Sequence, residues 1–430
     1  VRRAQCARQE RIVAPFKAPR GTQDTLPEDQ PYWRFVIRTG EELAALYGYE
    51  RIDTPTFEEA GLFIHGTGES TDIVSREMYL FTDRDERQMA LRPESTPNIA
   101  RAYLEHGLFN RPQPVKLYTV GLGFRYERPQ AGRLREFRQF DLEAIGDADP
   151  EVDAELIDFL WQFYARLGLR ELVVLLNTIG DQNCRPQYVS LLRAYYEQHL
   201  SEVCKEDRDR FVKNPLRMLD CKVPSCQPII AGAPTIDQHL CDACAEHFGR
   251  VRGLLNALDI PYRVTPRLVR GLDYYTRTVF EFAPEGAGST GTIGAGGRYD
   301  GLMEIIGGKP TPGIGFATGI ERIVLNLKKA GIEPPPLPGP RIYVAYNDGA
   351  LRDQAAELCG RLRHAGIGAL VATGDRSIKA QLRAADRSPA EYAYVLAESP
   401  ADCELLDLRR GAGRVQVAPD ALIDRLQLGV

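Results

Sequence analysis

Two stretches read as long strands from their side-chain alternation: PVKLYTVGLGFRYE (114–127) and REFRQFDLEAIG (135–146). Alternate residues of a strand share a face. Phe140, Leu142 and Ala144 therefore form an apolar face, and Gln139, Asp141 and Glu143 a polar one. On the first strand Gly121, Gly123, Arg125 and Glu127 share a face. The short connection RPQAGRL (128–134) implies antiparallel pairing, because parallel neighbours need a longer crossover. Helical spacing of aromatic and aliphatic residues predicts helices over 31–47 and 153–167. RLVRGLDYYTRTVFEFAPE (267–285) reads as a turn and a strand. TPGIGFATGIERIVLNLKKAG (311–331) opens as a strand and closes as an amphipathic helix. The result is an α+β domain around an antiparallel or mixed sheet.

The pattern changes at EPPPLPGP (333–340), where four prolines fall in the first six residues. Such a run suits neither a helix interior nor a central strand, so it reads as a stiff linker. Beyond it, strands over 341–346, 368–373, 393–398 and 403–408 alternate at first with helices over 350–364 and 378–387. That order predicts a small α/β domain, 341–430, with a largely parallel sheet. Before the linker, 181–256 is mostly helical and polar and reads as an insertion within a 1–332 domain.

Composition narrows the class. The chain has 430 residues, 43% apolar and 26% charged, enough to build sizeable cores. The net charge of −5 means that any nucleic-acid partner is held by local basic patches. Nine cysteines, an odd number, make a disulfide scaffold improbable and point to a reducing, cytoplasmic setting. No apolar run approaches a membrane span. The basic N-terminal stretch VRRAQCARQERIVAPF lacks the apolar core of a secretory signal and reads as a frayed tail.

Several motifs carry chemistry. GAGSTG (286–291) matches a dinucleotide fingerprint, but strand and loop residues follow where a helix is required, so it reads as a glycine loop. Glycines inside the hairpin strand weaken it and mark close approach of a ligand. Arg128, Arg133 and Arg135 on the connecting loop suit phosphate oxygens. Arg270 sits on a glycine turn before Tyr274 and Tyr275, of which only one faces the pocket if both lie in the strand. Arg322 opens a helix, where a cation opposes the helix dipole and hints at an anionic ligand. Cys221, Cys226, Cys241 and Cys244 approximate a four-cysteine zinc spacing, with His239 and His247 nearby. The loose first pair and Pro224 favour ordinary thiols over structural zinc. Lys379, Arg383 and Arg387 form a basic stripe at i, i+4 and i+8, suited to a phosphate backbone.

Taken together, RGTQDTLP (20–27), ALRPEST (90–96), GFRYERPQAGRLREFRQFDLEAIG (123–146), LVRGLDYYTRTVFE (268–281), AGGRYDGL (295–302) and TPGIGFATGIERIVL (311–325) closely resemble the histidine–tRNA ligases, a family of class II aminoacyl-tRNA synthetases. The resemblance covers nearly the whole chain in order. It implies an α+β fold: a class II antiparallel catalytic sheet (1–332) with a helical insertion (181–256), and after the 333–340 linker a C-terminal α/β anticodon-binding domain (341–430). It also implies ATP with Mg²⁺ as co-substrate, L-histidine and the histidine tRNA as substrates, and a homodimer formed through 41–57 with Pro55.

The site residues follow by the same resemblance. Glu94, Thr96 and Gln139 hold the histidine α-amino group. Arg125 meets the substrate carboxylate and the ATP α-phosphate. Glu143 and Tyr275 grip the imidazole, with Tyr274 and Arg270 also at the histidine site. Arg270 and Arg125 are the catalytic cations. Glu127, Arg133 and Arg322 hold ATP and its Mg²⁺. Gln130 and Arg135 reach the tRNA acceptor end, and Lys379, Arg383 and Arg387 belong to tRNA binding. One departure is Ser95-Thr96-Pro97, where the family usually carries Gly-Thr-Ala; Glu94 and Thr96 are kept. The alternative is a synthetase-like regulatory subunit of ATP phosphoribosyltransferase, which lacks the anticodon domain and has a degraded RGLDYY region.

Overall fold

The two alternating stretches form adjacent strands near one edge of an eight-stranded sheet. In chain order the strands before the proline run are β1 (Glu50–Arg51), β2 (Phe57–Glu59), β3 (Tyr79–Thr82), β4 (Gln88–Leu91), β5 (Val115–Phe124), β6 (Glu136–Ile145), β7 (Leu172–Thr178), β8 (Tyr262–Val264), β9 (Thr276–Pro284), β10 (Gly294–Arg298) and β11 (Gly313–Gly319). The large sheet runs β1-β5-β6-β11-β10-β9-β7-β8, and β2-β4-β3 form a small antiparallel sheet. Only the outer pairs, β1 with β5 and β7 with β8, are parallel. This computed structural model describes residues 16–69, 71–285, 291–409 and 413–428. The basic N-terminal stretch up to residue 15 and most of the GAGSTG loop (286–290) lie outside them.

Period-two alternation decides which face is which. Phe140 and Leu142 are fully buried and join Phe159, Phe163, Phe316 and Ile323 in the main core. The helices Gln30–Tyr47, Pro150–Arg166 and Ile320–Lys329 supply the covering layer. In β6 the register sets Gln139 between Gly121 and Gly319, and Glu143 between Leu117 and Gly315. A Cβ at Gly315 would overlap the Glu143 carboxylate, so only glycine leaves room there.

The expected insertion has its own core of Tyr188, Leu192, Tyr196, Met218, Leu219 and Ile236. Its closing helix, Asp242–Ala257, instead gives Phe248, Val251 and Leu255 to the main core. His247 Nε2 lies 2.8 Å from Asp153, which also pairs with the fully buried Arg298 at 2.7 Å, and these bonds fasten that helix to the main body.

The chain divides into two compact units, Val1–Pro335 and Pro336–Val430, at a point inside the proline run. The second unit contains β12 (Ile342–Tyr346), β13 (Ala369–Val371), β14 (Tyr392–Leu396), β15 (Glu404–Asp407) and β16 (Arg414–Gln416), ordered β13-β12-β14-β15-β16. The first three are parallel; β15 and β16 are antiparallel additions. The sheet is thus mixed where a largely parallel one was expected. Only a single 3₁₀ turn, Pro400–Asp402, intervenes between β14 and β15, and a connection that short can only return the chain antiparallel. Among the described residues no helix is long and apolar enough to cross a membrane.

Candidate active site

The polar face of β6 is the floor of the site, and two sets of residues stand on it. One is a buried network. Glu94, which follows β4, accepts Thr67 Oγ1 at 2.6 Å and the Tyr274 hydroxyl at 2.7 Å. Glu143 accepts Thr96 Oγ1 at 2.6 Å and the Tyr299 hydroxyl at 2.5 Å. Burial pushes both carboxyls above the usual carboxylate range, while the donated hydroxyl bonds pull the other way. Asp141, between them on β6, is pushed up to about 7 by burial. Among the described residues neither of its oxygens has a hydrogen-bond partner within the usual distance and angle, although the Ser95 hydroxyl lies close enough to favour its charged form. Arg92 anchors the loop that carries Glu94, donating to Leu122 O at 2.6 Å and to Thr54 O at 3.1 Å. Ser95 precedes the helix Thr96–Glu105, and Pro97 falls in its first turn, where a missing N–H costs nothing.

Tyr274 and Tyr275 both belong to this network. β9 begins at Thr276, so the strand rule that would send the two rings to opposite faces does not reach them. Their centroids are 4.8 Å apart, and the Tyr275 ring packs on Gly297 at a distance no Cβ would permit. Burial pushes the Tyr275 hydroxyl up to about 12.

The second set lines an open cleft of about 380 Å³: Arg125, Glu127, Arg133, Gln139, Arg270 and Arg322, with Glu281 and Thr292. Arg125 and Glu127 lie just beyond β5. Arg125 N continues the ladder to Arg135 O at 3.0 Å, and its Nε donates to Pro93 O at 2.9 Å. Glu127 pairs with Arg133 at 3.3 Å. Arg270 pairs with Glu281 of β9, which also accepts Thr292 Oγ1 at 2.6 Å. Burial works against the Arg270 guanidinium, but Glu281 more than offsets it and the group is held charged. Among the described residues the buried Nε of Arg270 has no acceptor. Glu281, Tyr299 and Thr67 were not singled out from sequence; the lone carboxylate inside the apolar run VFEFA was the available signal for Glu281.

Arg322 also bridges two backbone segments. It donates to Gly132 O at 3.1 Å and to Thr292 O, which ties the 128–134 loop to the segment just before β10. Burial, with Arg133 nearby, pulls its guanidinium below the usual value. Gln130 and Arg133 close that loop through reciprocal backbone bonds and are exposed. Arg135 stacks 3.7 Å above the Tyr126 ring and donates to Glu127 O at 3.2 Å.

In the second unit Lys379 and Arg383 line a shallow groove with Arg414. Gln381 on the inner face of their helix, Ile378–Asp386, bonds both ways to the Tyr346 backbone, at 3.0 and 3.1 Å. The outer face is left to Lys379, Arg383 and Arg387, all exposed. None of the three forms an ion pair among the described residues.

The four-cysteine set expected from spacing does not meet. Cys221 and Cys226 lie with Cys204 and Asp207, whereas Cys241 and Cys244 lie with Asp181 and Cys184. His239 and His247 belong to neither cluster.

Comparison with known proteins agrees with this geometry. A family model described as Histidyl-tRNA synthetase matches residues 21–213 and 225–323, and one described as Anticodon binding domain matches 341–427. A histidine–tRNA ligase of Dehalococcoides mccartyi is 52% identical over 410 residues, 95% of this chain and 98% of the relative. One from Moorella thermoacetica is 46% identical over 94% of this chain and 96% of its own length. The crystal structure of apo S. aureus histidyl-tRNA synthetase superposes with a TM-score of 0.81 at 35% identity, over 95% of this chain and 99% of that one. A ligase match over the full length, anticodon-binding unit included, separates the chain from the regulatory-subunit alternative. The chain belongs to the histidyl-tRNA synthetase family of class II aminoacyl-tRNA synthetases, and its reaction is the ATP-dependent activation of histidine and transfer of histidine to its tRNA.

Proposed function

We propose that the buried network recognises histidine and that the cleft binds ATP as its Mg²⁺ complex and carries the chemistry. The observation that supports this division is the convergence of Arg125, Arg270, Arg322 and Gln139 on one cleft above a floor of small residues. Glu94 and Thr96, with Gln139, take the α-amino group. Glu143 and Tyr275 take the imidazole nitrogens. A site built to bond a polar ring disfavours apolar analogues, which forgo the bonds to Glu143 and Tyr275 that histidine makes.

A carboxylate oxygen of histidine attacks the α-phosphorus. As that P–O bond forms, the bond to the bridging oxygen breaks and pyrophosphate leaves with the electron pair. Arg125 joins the two reactants, and Arg270, held rigid by Glu281, faces the charge that grows on the phosphoryl oxygens. Glu127, Arg133 and Arg322 hold the remaining phosphates and the Mg²⁺ that accompanies them. The 3′-terminal ribose hydroxyl of the tRNA then attacks the acyl carbon and AMP departs. Gln130 and Arg135 guide the acceptor end, and Lys379, Arg383 and Arg387 grip the tRNA elsewhere. Homodimerisation through 41–57 and residence in the cytoplasm complete the reading.

The test is ATP–pyrophosphate exchange with each of several amino acids, followed by charging of the histidine tRNA. Exchange with histidine alone, abolished in Arg125→Ala, is the expected result. Wild-type exchange in Arg125→Ala would overturn the assignment of roles.

A further inference from the structure

The cysteine clusters of the insertion are outside both halves of the site. Each is made from two close-spaced pairs that the fold brings together. The first joins Asp181-x₂-Cys184 to Cys241-x₂-Cys244, and the second joins Cys204-x₂-Asp207 to Cys221-x₄-Cys226. Within each cluster the four ligating atoms lie within 4.8 Å of one another. We propose that each cluster is a tetrahedral Cys₃Asp zinc site, so that the insertion carries two structural zinc ions.

The distances suit that geometry. Zinc–sulfur bonds of about 2.3 Å give a tetrahedron whose sulfur–sulfur edge is about 3.8 Å. Cys204 and Cys221 place their sulfurs 3.8 Å apart. In the first cluster Asp181 Oδ1 is 3.7 Å from Cys184 Sγ and 3.8 Å from Cys241 Sγ. All these cysteines are unbridged.

Further observations point to a cation in the second cluster. Asp207 is 1% exposed, and among the described residues its Oδ2 accepts no hydrogen bond of usual distance and angle, although the Cys221 and Cys226 thiols lie close to the carboxylate. A buried carboxylate oxygen is expensive to leave unsatisfied. Its Oδ1 takes Arg210 at 3.2 Å, which leaves Oδ2 for a metal. Backbone N–H groups are aimed at two of the sulfurs: Cys204 N donates to Cys226 Sγ at 3.3 Å and Val223 N to Cys221 Sγ at 3.4 Å. Such donors suit thiolates.

Three thiolates and a carboxylate around Zn²⁺ leave two negative charges, and each cluster has an arginine to meet them. Arg277 lies 3.3 Å from Asp181, and Arg210 serves Asp207. Such outer partners orient ligands and tune the ion. The first site also bears on the active site. Arg185, next to Cys184, donates to Tyr275 O at 2.6 Å, and Ile179 and Gly180 exchange backbone bonds of 2.8 Å with Arg277. A metal there fastens the turn that holds Tyr275.

The test uses the full-length protein purified without chelator from zinc-supplied cells. Elemental analysis is expected to find about two zinc ions per chain, and about one in Cys226→Ser or Cys244→Ser. Cobalt exchanged into the protein is expected to show sulfur-to-metal charge-transfer absorption of a tetrahedral site. Asp207→Asn keeps the side-chain shape, so it covers the case in which a serine variant does not fold. It is expected to lose one zinc to a competing chelator faster than wild type, at unchanged far-UV dichroism. Less than about a tenth of an equivalent of metal with no cobalt uptake overturns the proposal. So does iron in place of zinc, or a Cys204–Cys221 disulfide in protein isolated without reductant.

Discussion

Glu94 and Glu143 are enclosed, each with both oxygens already bonded to hydroxyls of the protein. Arg125, Arg270 and Arg322 line an open cleft, and among the described residues a buried donor of Arg270 has no acceptor. The carboxylates are positioned by hydroxyls of the protein itself, and on the proposed reading their bonds are equally available to substrate and transition state. In the proposed reading such groups set which amino acid is admitted. On the proposed reading the arginines face the place where negative charge grows during attack on phosphorus, and only interactions stronger in the transition state accelerate the step. We propose that one half of the site sorts ligands and the other half lowers the barrier.

That contrast breaks most sharply at Arg270. Arg270→Ala is expected to lower kcat for pyrophosphate exchange by roughly 10²–10³, the range for removing one preorganised donor. The KM values for ATP and histidine should move far less. A rise in KM for ATP at unchanged kcat would make Arg270 a ground-state phosphate clamp. Glu143→Ala should show the reverse signature. Its KM for histidine should rise about tenfold or more, with kcat nearly kept, because an imidazole partner present in both states is removed.

A smaller effect belongs to the second unit, whose cations are spread on an exposed helix. Changing Lys379, Arg383 and Arg387 together to Ala is expected to raise KM for tRNA several-fold and to flatten its salt dependence, because fewer phosphates are neutralised. Histidine-dependent exchange should be unaffected. An unchanged salt slope would leave the stripe as an ordinary solvated helix face.

The smallest effect tests the cost of the enclosed half. Folding raises Asp141 from the ordinary carboxylate range to about 7. The folded protein thus holds a proton that the unfolded chain releases. This contribution to stability is complete in acid and is lost as pH rises toward about 7. Asp141→Asn should therefore lessen the fall of Tm between pH 5 and pH 8 by a few degrees, read by thermal unfolding across that range. An identical pH slope in the variant would show that Asp141 is already ionised.

Much of this was legible in the chain. The faces of β5 and β6 followed from alternation, since a pleat has period two wherever a strand is paired. The change of architecture at the proline run followed from the missing N–H and fixed φ of proline. The roles expected of Glu94, Arg125 and Arg270 came from a resemblance carried by contiguous motifs. What escaped were partnerships between distant residues. Glu281 is identified by the guanidinium it holds, Tyr299 by the carboxylate it serves, and Tyr274 and Tyr275 share one pocket because the strand starts one residue later.

The cysteines mark that boundary most clearly. Sequence determined the close pairs, because an x₂ or x₄ spacing keeps two side chains near each other in any compact turn. It could not determine which pairs meet. Asp181-x₂-Cys184 and Cys241-x₂-Cys244 lie at the two ends of the insertion and close on one another, while the pairs between them form a separate cluster. That choice rests with the packing of Tyr188, Leu192, Met218 and Ile236 into a core of their own, and with the seating of the Asp242–Ala257 helix on the main body. Local spacing is set by covalent reach, whereas the meeting of distant pairs is set by which apolar faces bury each other.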